Sequence, residues 1–103
     1  MNSQDEKSPT DPLPTDQLEV TLYTRPGCHL CDEAKLQMAP ALAEFGARLR
    51  EVNIDADPQL RELYNLDVPV IFVGDRKVAK HRVAAAQFRR QLVEARRRSA
   101  QRD

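Results

Sequence analysis

The sequence contains no tryptophan, two tyrosines, three phenylalanines and two cysteines in 103 residues. So few aromatic rings offer nucleobases little to stack on. The 16 basic residues are balanced by 16 acidic ones, so charge favours neither a nucleic acid nor an anionic membrane. No apolar run approaches the roughly 18 residues that span a bilayer. We therefore expect one globular domain with no nucleic-acid partner and no membrane partner.

The distribution of polar and apolar segments divides the chain into three parts. Residues 1–17 are polar, contain three prolines and show no basic-then-apolar signal pattern, so we expect a disordered N-terminal tail. We expect the globular domain over residues 18–96 and a basic C-terminal tail over residues 97–103. The missing signal pattern predicts a cytoplasmic location, where thiols stay reduced unless they cycle. We also expect a monomer.

The periodicity of apolar residues predicts elements in the order β-α-β-α-β-β-α. The first two strands should pair in parallel through a right-handed crossover, and a closing hairpin should add an antiparallel strand. The expected fold is α/β, with a central four-stranded mixed sheet and helices on both faces. The predicted strands are Leu18–Thr24, Arg48–Asp55, Val68–Val73 and Lys77–Val83, and the predicted helices run from Cys28 or His29 to Phe45, from Pro58 onward, and from Ala84 to Ala95 or slightly beyond.

Single residues mark the expected helix boundaries and apolar faces. Pro40 lacks a backbone donor and should kink or split the first helix, which Gly46 should end. Asp57 followed by Pro58 is typical of a helix start. Two sets of apolar side chains are expected to face the core, namely Leu60, Leu63, Tyr64 and Leu66 after this start, and Ala85, Phe88, Leu92 and Ala95 in the last helix.

Cys28 and Cys31, the two cysteines, lie at a predicted strand-to-helix turn with Cys28 at the helix start. A helix N-terminus favours an anion, and the thiolate is the reactive form of cysteine. Lowering a thiol pKa from about 8.5 to about 6.5 raises the thiolate fraction at pH 7 from ~3 % to ~75 %. A bridge across so short a loop removes only ~2 kcal/mol of unfolded-chain entropy. The motif and its context therefore favour redox chemistry over a structural disulfide.

A second motif, Val68-Pro69-Val70, opens an apolar strand, where a proline needs a special role because it cannot donate to a sheet. Together with Cys28-His29-Leu30-Cys31 and the element order, it resembles the thioredoxin superfamily, and within it the small glutaredoxin-like proteins of the dithiol type. The resemblance covers Leu18 to about Arg96. It implies a thioredoxin-like fold, a cis Val68–Pro69 bond and an enzyme, a thiol-disulfide oxidoreductase.

The resemblance also implies a role for each site residue. Cys28 would be the catalytic nucleophile, and Cys31 would resolve the mixed disulfide, so that the two form a redox-active disulfide. Pro69 would pack beside the cysteines, and the backbone of Val68 would pair with bound peptide or glutathione. Arg25 would bind substrate by meeting a glutathione carboxylate. The alternative interpretation is that Arg25 is a solvated charge in a loop.

The sequence departs from the pattern of many glutathione-binding glutaredoxins at three places. These proteins carry an aromatic residue before the second cysteine, a threonine two residues before the cis-proline, and a glycine pair that opens the last helix. Here the positions hold Leu30, Asp67 and a glycine-free run over residues 82–86. We therefore expect no tightly bound cofactor, and glutathione only as a weak co-substrate.

Two other functions use the same features. Two thiolates provide half of a tetrahedral site, so a metal or iron–sulfur carrier could use both cysteines, with His29 and His81 as extra ligands. Nothing in the spacing brings these histidines together, and we predict no metal site. A non-catalytic thioredoxin-like binding module would act through its sheet edge or its Arg-rich end. The leading interpretation remains disulfide reduction, with a disulfide-containing protein or a small thiol as partner.

Overall fold

The structure, a computed structural model, describes residues 18–101, so the predicted disordered tail lies outside the described residues. The observed element order agrees with the sequence. The elements are β1 (Glu19–Thr24), α1 (His29–Phe45), β2 (Arg48–Asn53), a short 3-10 helix (Ile54–Ala56), α2 (Pro58–Tyr64), β3 (Val70–Val73), β4 (Arg76–Lys80) and α3 (Ala85–Gln101).

The four strands form one mixed sheet in the order β2-β1-β3-β4, which confirms the predicted architecture. β1 runs parallel to β2, and α1 makes the crossover between them. β3 is antiparallel to both of its neighbours, with Tyr23 of β1 opposite Val70. Because of this pairing, the C-terminal end of β1 and the N-terminal end of β3 lie at the same edge of the sheet.

Helices cover the two faces of the sheet unequally. Side chains that alternate along β1 and β3 form the main core with α1 and α3. On the opposite face, Tyr23 stacks on Tyr64 of α2 with ring centroids 4.8 Å apart and meets the edge of Phe72 at 5.7 Å. The fully buried large residues of the main core include Val20, Leu22, Met38, Ile71, Phe88 and Leu92.

α1 begins and ends at the predicted residues. Gly46 adopts the left-handed conformation with φ 61°, and its N–H donates to Ala43 O at 3.3 Å while Ala47 N–H donates to Leu42 O at 2.9 Å. These two bonds form a Schellman cap, which glycine accommodates without a Cβ clash. The helix is continuous through Pro40, so the predicted split does not occur.

Three predicted boundaries move because of local backbone chemistry. β2 ends at Asn53, since its side chain accepts from Asp55 N–H at 2.9 Å and opens the 3-10 helix. β3 begins at Val70, after the cis Val68–Pro69 bond that the sequence predicted. β4 ends at Lys80, because the next residue, His81, has φ 70° and leaves the extended conformation.

The expected apolar faces of the later helices need two corrections. Leu63 and Leu66 are 64 % and 84 % exposed, and no residue of α2 is fully buried. In α3, Ala85 is exposed although Phe88, Leu92 and Ala95 are buried as predicted. α3 also continues to Gln101, so residues 97–101 are helical rather than part of a separate basic tail. Alanine, arginine and glutamine are good helix formers, and no glycine or proline interrupts them there.

The burial of two helical leucines yields a stability prediction. Leu92 is 0 % exposed and Leu36 is 73 % exposed. Leu92→Ala should lower the free energy of unfolding by about 2–5 kcal/mol because it leaves a cavity in the core. Leu36→Ala, the matched control, should change it by less than about 0.5 kcal/mol. Urea denaturation of both variants measures the difference, and equal costs would contradict the packing described here.

Candidate active site

A tight turn places the two cysteines at the start of α1. β1 ends at Thr24, and a turn at Pro26 and Gly27 follows, with Gly27 at φ 72°. Cys28 is then the N-cap of α1, and its Sγ accepts from Cys31 N–H at 3.1 Å. A sulfur in this position receives one of the N–H groups that the first helical turn leaves without a backbone partner.

Cys28 and Cys31 are joined by a disulfide, with their Cα atoms 5.2 Å apart. Cys31 is 1 % exposed and belongs to the packed interior, whereas Cys28 remains partly exposed to solvent. An incoming group therefore reaches the sulfur of Cys28 before that of Cys31.

The loop with the cis-proline lies at the same edge of the sheet as the cysteine turn, because Tyr23 is opposite Val70. The N–H groups of Asp67 and Val68 donate to Tyr64 O at 2.9 and 3.2 Å, so the loop folds back on the end of α2. Pro69 is fully buried and Val68 is partly buried. The two loops predicted to form the site are thus brought together, and the contact of Pro69 with the sulfurs stays a prediction.

Arg25 is neither a solvated charge nor an unoccupied cation. Its guanidinium donates to both carboxylate oxygens of Asp55, at 2.7 and 3.2 Å, and to the side-chain and backbone oxygens of Asn65, at 2.8 and 3.2 Å. The hydrogen bond from Arg25 lowers the pKa of Asp55, and the same bond raises the pKa of Arg25. The substrate-binding role predicted for Arg25 would require it to give up part of this network.

Lys80, the last residue of β4, and His81, which follows it, lie beside the loop that contains the cis-proline. Asp67 Oδ1 lies 3.8 Å from both Lys80 Nζ and His81 Nε2. His81 Nε2 is also 2.9 Å from Leu66 O, so this nitrogen carries the hydrogen, since a carbonyl can only accept. The backbone N–H of His81 donates to Pro69 O at 2.8 Å. His81 therefore contacts the loop through its ring and its backbone.

Sequence reasoning missed Asp55, Asn65 and His81 as neighbours of the site. The signal for Asp55 was present in the predicted topology. Thr24 is opposite Asn53 in the parallel pair β1–β2, so residues that follow these two are close in space. The sequence marked His81 only as a possible metal ligand, and its place beside the cis-proline loop depends on a positive φ that an L-residue rarely adopts.

The alternative metal site finds no support in the side-chain arrangement. Within residues 18–101, no three side chains of His, Cys, Asp or Glu are grouped so that they could hold a metal ion. His29 is exposed on the first turn of α1, and His81 bonds to Leu66 O instead. In the same part of the chain, no helix is long and apolar enough to cross a membrane.

Solved structures similar to this chain share its fold. An X-ray structure of a structural genomics target from X. campestris is 35% identical, has a TM-score of 0.64, and covers 73% of this chain and 96% of that chain. Chloroplastic thioredoxin z is 13% identical with a TM-score of 0.62, over 78% of this chain and 79% of that one. The second likeness shows a thioredoxin-like fold alone.

Two sequence comparisons identify the family. A curated glutaredoxin-like protein from Dictyostelium discoideum, a homolog of YDR286C, is 33% identical over 72 residues, which are 64% of this chain and 67% of the relative. The model of the glutaredoxin-like domain family (DUF836) matches residues 19–93. This span contains both cysteines and the cis-proline loop. The chain therefore belongs to the glutaredoxin-like domain family.

Proposed function

We propose that this protein is a thiol-disulfide oxidoreductase that reduces disulfides through Cys28 and Cys31. The observation that carries the proposal is the unequal burial of two bonded cysteines at a helix N-terminus. The substrate must be able to reach the nucleophilic cysteine, and the resolving cysteine must not compete with the nucleophile for the substrate. The partly exposed Cys28 meets the first requirement, and the buried Cys31 meets the second.

The reaction is written for the reduced protein. The Cys28 thiolate attacks one sulfur of a substrate disulfide, and the other sulfur leaves as a thiolate that takes up a proton. A mixed disulfide between Cys28 and the substrate results. The Cys31 thiol then loses its proton, and its sulfur attacks Cys28 Sγ, which forms the internal disulfide and releases the second substrate thiol. Two electrons and two protons pass to the substrate, and an external thiol reductant must return the protein to the dithiol.

The backbone beside the cis-proline supports a substrate that binds as an extended segment. The carbonyl of Val68 can accept from such a segment, as in added-strand recognition. The Val68 N–H donates to Tyr64 O at 3.2 Å, so a substrate that bonds to this N–H must displace that bond. A protein disulfide in an extended segment could therefore bind beside Val68. The cytoplasm, where thiols are kept reduced, is a location that suits this reaction.

Charge pairing argues that glutathione is a weak co-substrate. A glutathione carboxylate needs a cation whose charge is not already balanced. Three cations near the cysteine turn and the cis-proline loop each lie beside an acidic side chain. The pairs are Arg25 with Asp55 at 2.7 Å, Lys80 with Asp67 at 3.8 Å, and Arg82 with Glu33 at 3.8 Å.

We also propose that the protein works as a monomer. The edge strands of the sheet are β2 and β4. Both carry exposed charged side chains, which oppose pairing with the edge of another copy. These side chains are Arg48, Arg50 and Glu51 in β2, and Arg76, Lys77 and Lys80 in β4.

The exposure of the two thiols predicts the order of their alkylation. With the reduced protein at mildly acidic pH, iodoacetamide should modify Cys28 at least about tenfold faster than Cys31, because Cys28 is exposed and lies at the helix N-terminus. Peptide mapping by mass spectrometry measures the two rates. In denaturant, the control condition, the rates should converge. Faster labelling of Cys31 in the folded protein would reverse the assigned roles.

If Cys31 is the resolving cysteine, its replacement should trap the mixed-disulfide intermediate. Incubated with a protein disulfide substrate, Cys31→Ser should accumulate a mixed disulfide at Cys28, because no internal thiol can release it. Intact-mass analysis should show this adduct for hours in the variant and only transiently in the wild type. Cys28→Ser is the matched control and should form no lasting adduct. An adduct in Cys28→Ser alone, or in neither variant, would refute the dithiol mechanism.

Asp67, two residues before Pro69, carries a charge that should oppose glutathione, so its removal should improve glutathione use. Asp67→Thr removes the carboxylate and leaves Lys80 and His81 without their acidic neighbour. A glutathione carboxylate should then bind better, and the glutathione KM should fall by roughly two- to fivefold, the range of an exposed ion pair. A glutathione-coupled disulfide assay measures it, with Glu33→Gln as a second charge removal near the site. A low wild-type KM, unchanged in Asp67→Thr, would show that charge pairing does not limit glutathione use.

A further inference from the structure

We infer that Arg25 is a positioning residue that fastens the cysteine turn to the cis-proline loop, and that it does not receive the carboxylate of a substrate. The inference rests on the proposed function in one respect, namely that both loops act on the same substrate. Its structural content does not depend on activity. Arg25 lies in the turn that leads to Cys28, and its guanidinium bonds to the residue that caps the end of α2.

The bonds of Arg25 join three separate segments. Asp55 belongs to the 3-10 helix that follows β2, and Asn65 is the C-cap of α2, three residues before Val68. Arg25 donates two hydrogen bonds to each of them. Four of the five guanidinium N–H groups are therefore occupied by residues within the described part of the chain.

The anion that holds Arg25 is itself fixed in place. Asp55 N–H donates to Asn53 Oδ1 at 2.9 Å, which sets the backbone of the 3-10 helix. The lowered pKa of Asp55 keeps its carboxylate charged at neutral and mildly acidic pH. A substrate carboxylate approaching Arg25 would meet this charge at the same guanidinium. The site is thus already filled by an internal carboxylate with matching fork geometry.

The end of α2 has few apolar contacts of its own. No residue of α2 is fully buried, and Leu63 and Leu66 are largely exposed. The stack of Tyr23 on Tyr64 connects this end to β1, and the bonds from Arg25 connect it to the turn that follows β1. A segment with little buried apolar surface opens locally at low cost, so these contacts have a direct effect on the loop that follows.

The loop that follows α2 contains the amides that report on this fastening. Asp67 N–H and Val68 N–H both donate to Tyr64 O, one residue before the Asn65 that Arg25 holds. If the end of α2 moves away from the cysteine turn, these two bonds open with it. Hydrogen exchange at the two amides therefore measures the fastening without any enzymatic assay.

The decisive experiment compares Arg25→Gln with Asp55→Asn. If Arg25 is a positioning residue, both variants weaken the same connection. Arg25→Gln removes the bonds to Asn65, and Asp55→Asn removes the carboxylate that holds the guanidinium beside Asn65. The amides of Asp67 and Val68 should then exchange roughly two- to fivefold faster in each, the range that an exposed ion pair supports. Exchange at Leu22 and Ile71, in the central strands, should not change. Unchanged exchange at Asp67 and Val68 in both variants would overturn the inference.

The same two variants separate positioning from carboxylate binding. If Arg25 received a glutathione carboxylate, Asp55→Asn would release the guanidinium and lower the glutathione KM, whereas Arg25→Gln would raise it. Under the positioning role, the two variants shift the rate of protein disulfide reduction in the same direction, downward, and neither lowers the KM. Opposite shifts of KM would overturn the inference.

Two further variants keep the test independent of folding and of the proposed function. Glu44→Gln breaks an equally forked ion pair with Arg89, between α1 and α3, and should leave exchange at Asp67 and Val68 unchanged. Arg25→Lys keeps the charge without the planar fork, so the amides of Asp67 and Val68 should exchange faster in this variant than in the wild type. This variant provides the test if Arg25→Gln does not fold. A wild type that reduces no disulfide would refute the proposed function, while the exchange results would still decide the role of Arg25.

Discussion

The antiparallel pairing of β1 with β3 is the constraint on which the candidate site depends. Since Tyr23 is opposite Val70, the turn that leaves β1 and the loop that enters β3 must meet at one edge of the sheet. The first supplies Cys28, and the second supplies the cis Val68–Pro69 bond. Their sequence separation of about forty residues has no influence on this meeting, because the ladder of the two central strands sets it.

The two faces of the sheet differ in how they hold the site. α1 and α3 pack through buried apolar side chains, so the helix that carries Cys31 has a rigid base. α2 has no fully buried residue, and the contacts at its end include the Tyr23–Tyr64 stack and hydrogen bonds from Arg25. The cysteine turn is therefore anchored by the core, whereas the cis-proline loop is held by Arg25 on one side and by His81 on the other.

Cationic side chains near the candidate site are paired with acidic side chains of the same chain. The chain has equal numbers of acidic and basic residues, and near the site the cations have acidic neighbours. Small anionic thiols gain little from cations that are already paired, because a new ion pair must displace an existing one. Recognition through the backbone of an extended segment does not require a free charge. For the proposed oxidoreductase, this charge pairing is our argument for protein disulfides rather than glutathione as substrates.

Local backbone chemistry in the sequence determined the helix start at Cys28 and the Gly46 cap, apolar periodicity determined the element order, and the family resemblance implied the cis bond. Apolar periodicity also identified Phe88, Leu92 and Ala95 as core residues of α3, but it failed at Leu63 in α2 and at Leu66 beyond it, which are largely exposed. Only the tertiary structure decided the partners of Arg25, since strand register brings distant carboxylates and amides together. Ion-pair partners depend on which side chains the fold brings close together, and composition does not specify these neighbours.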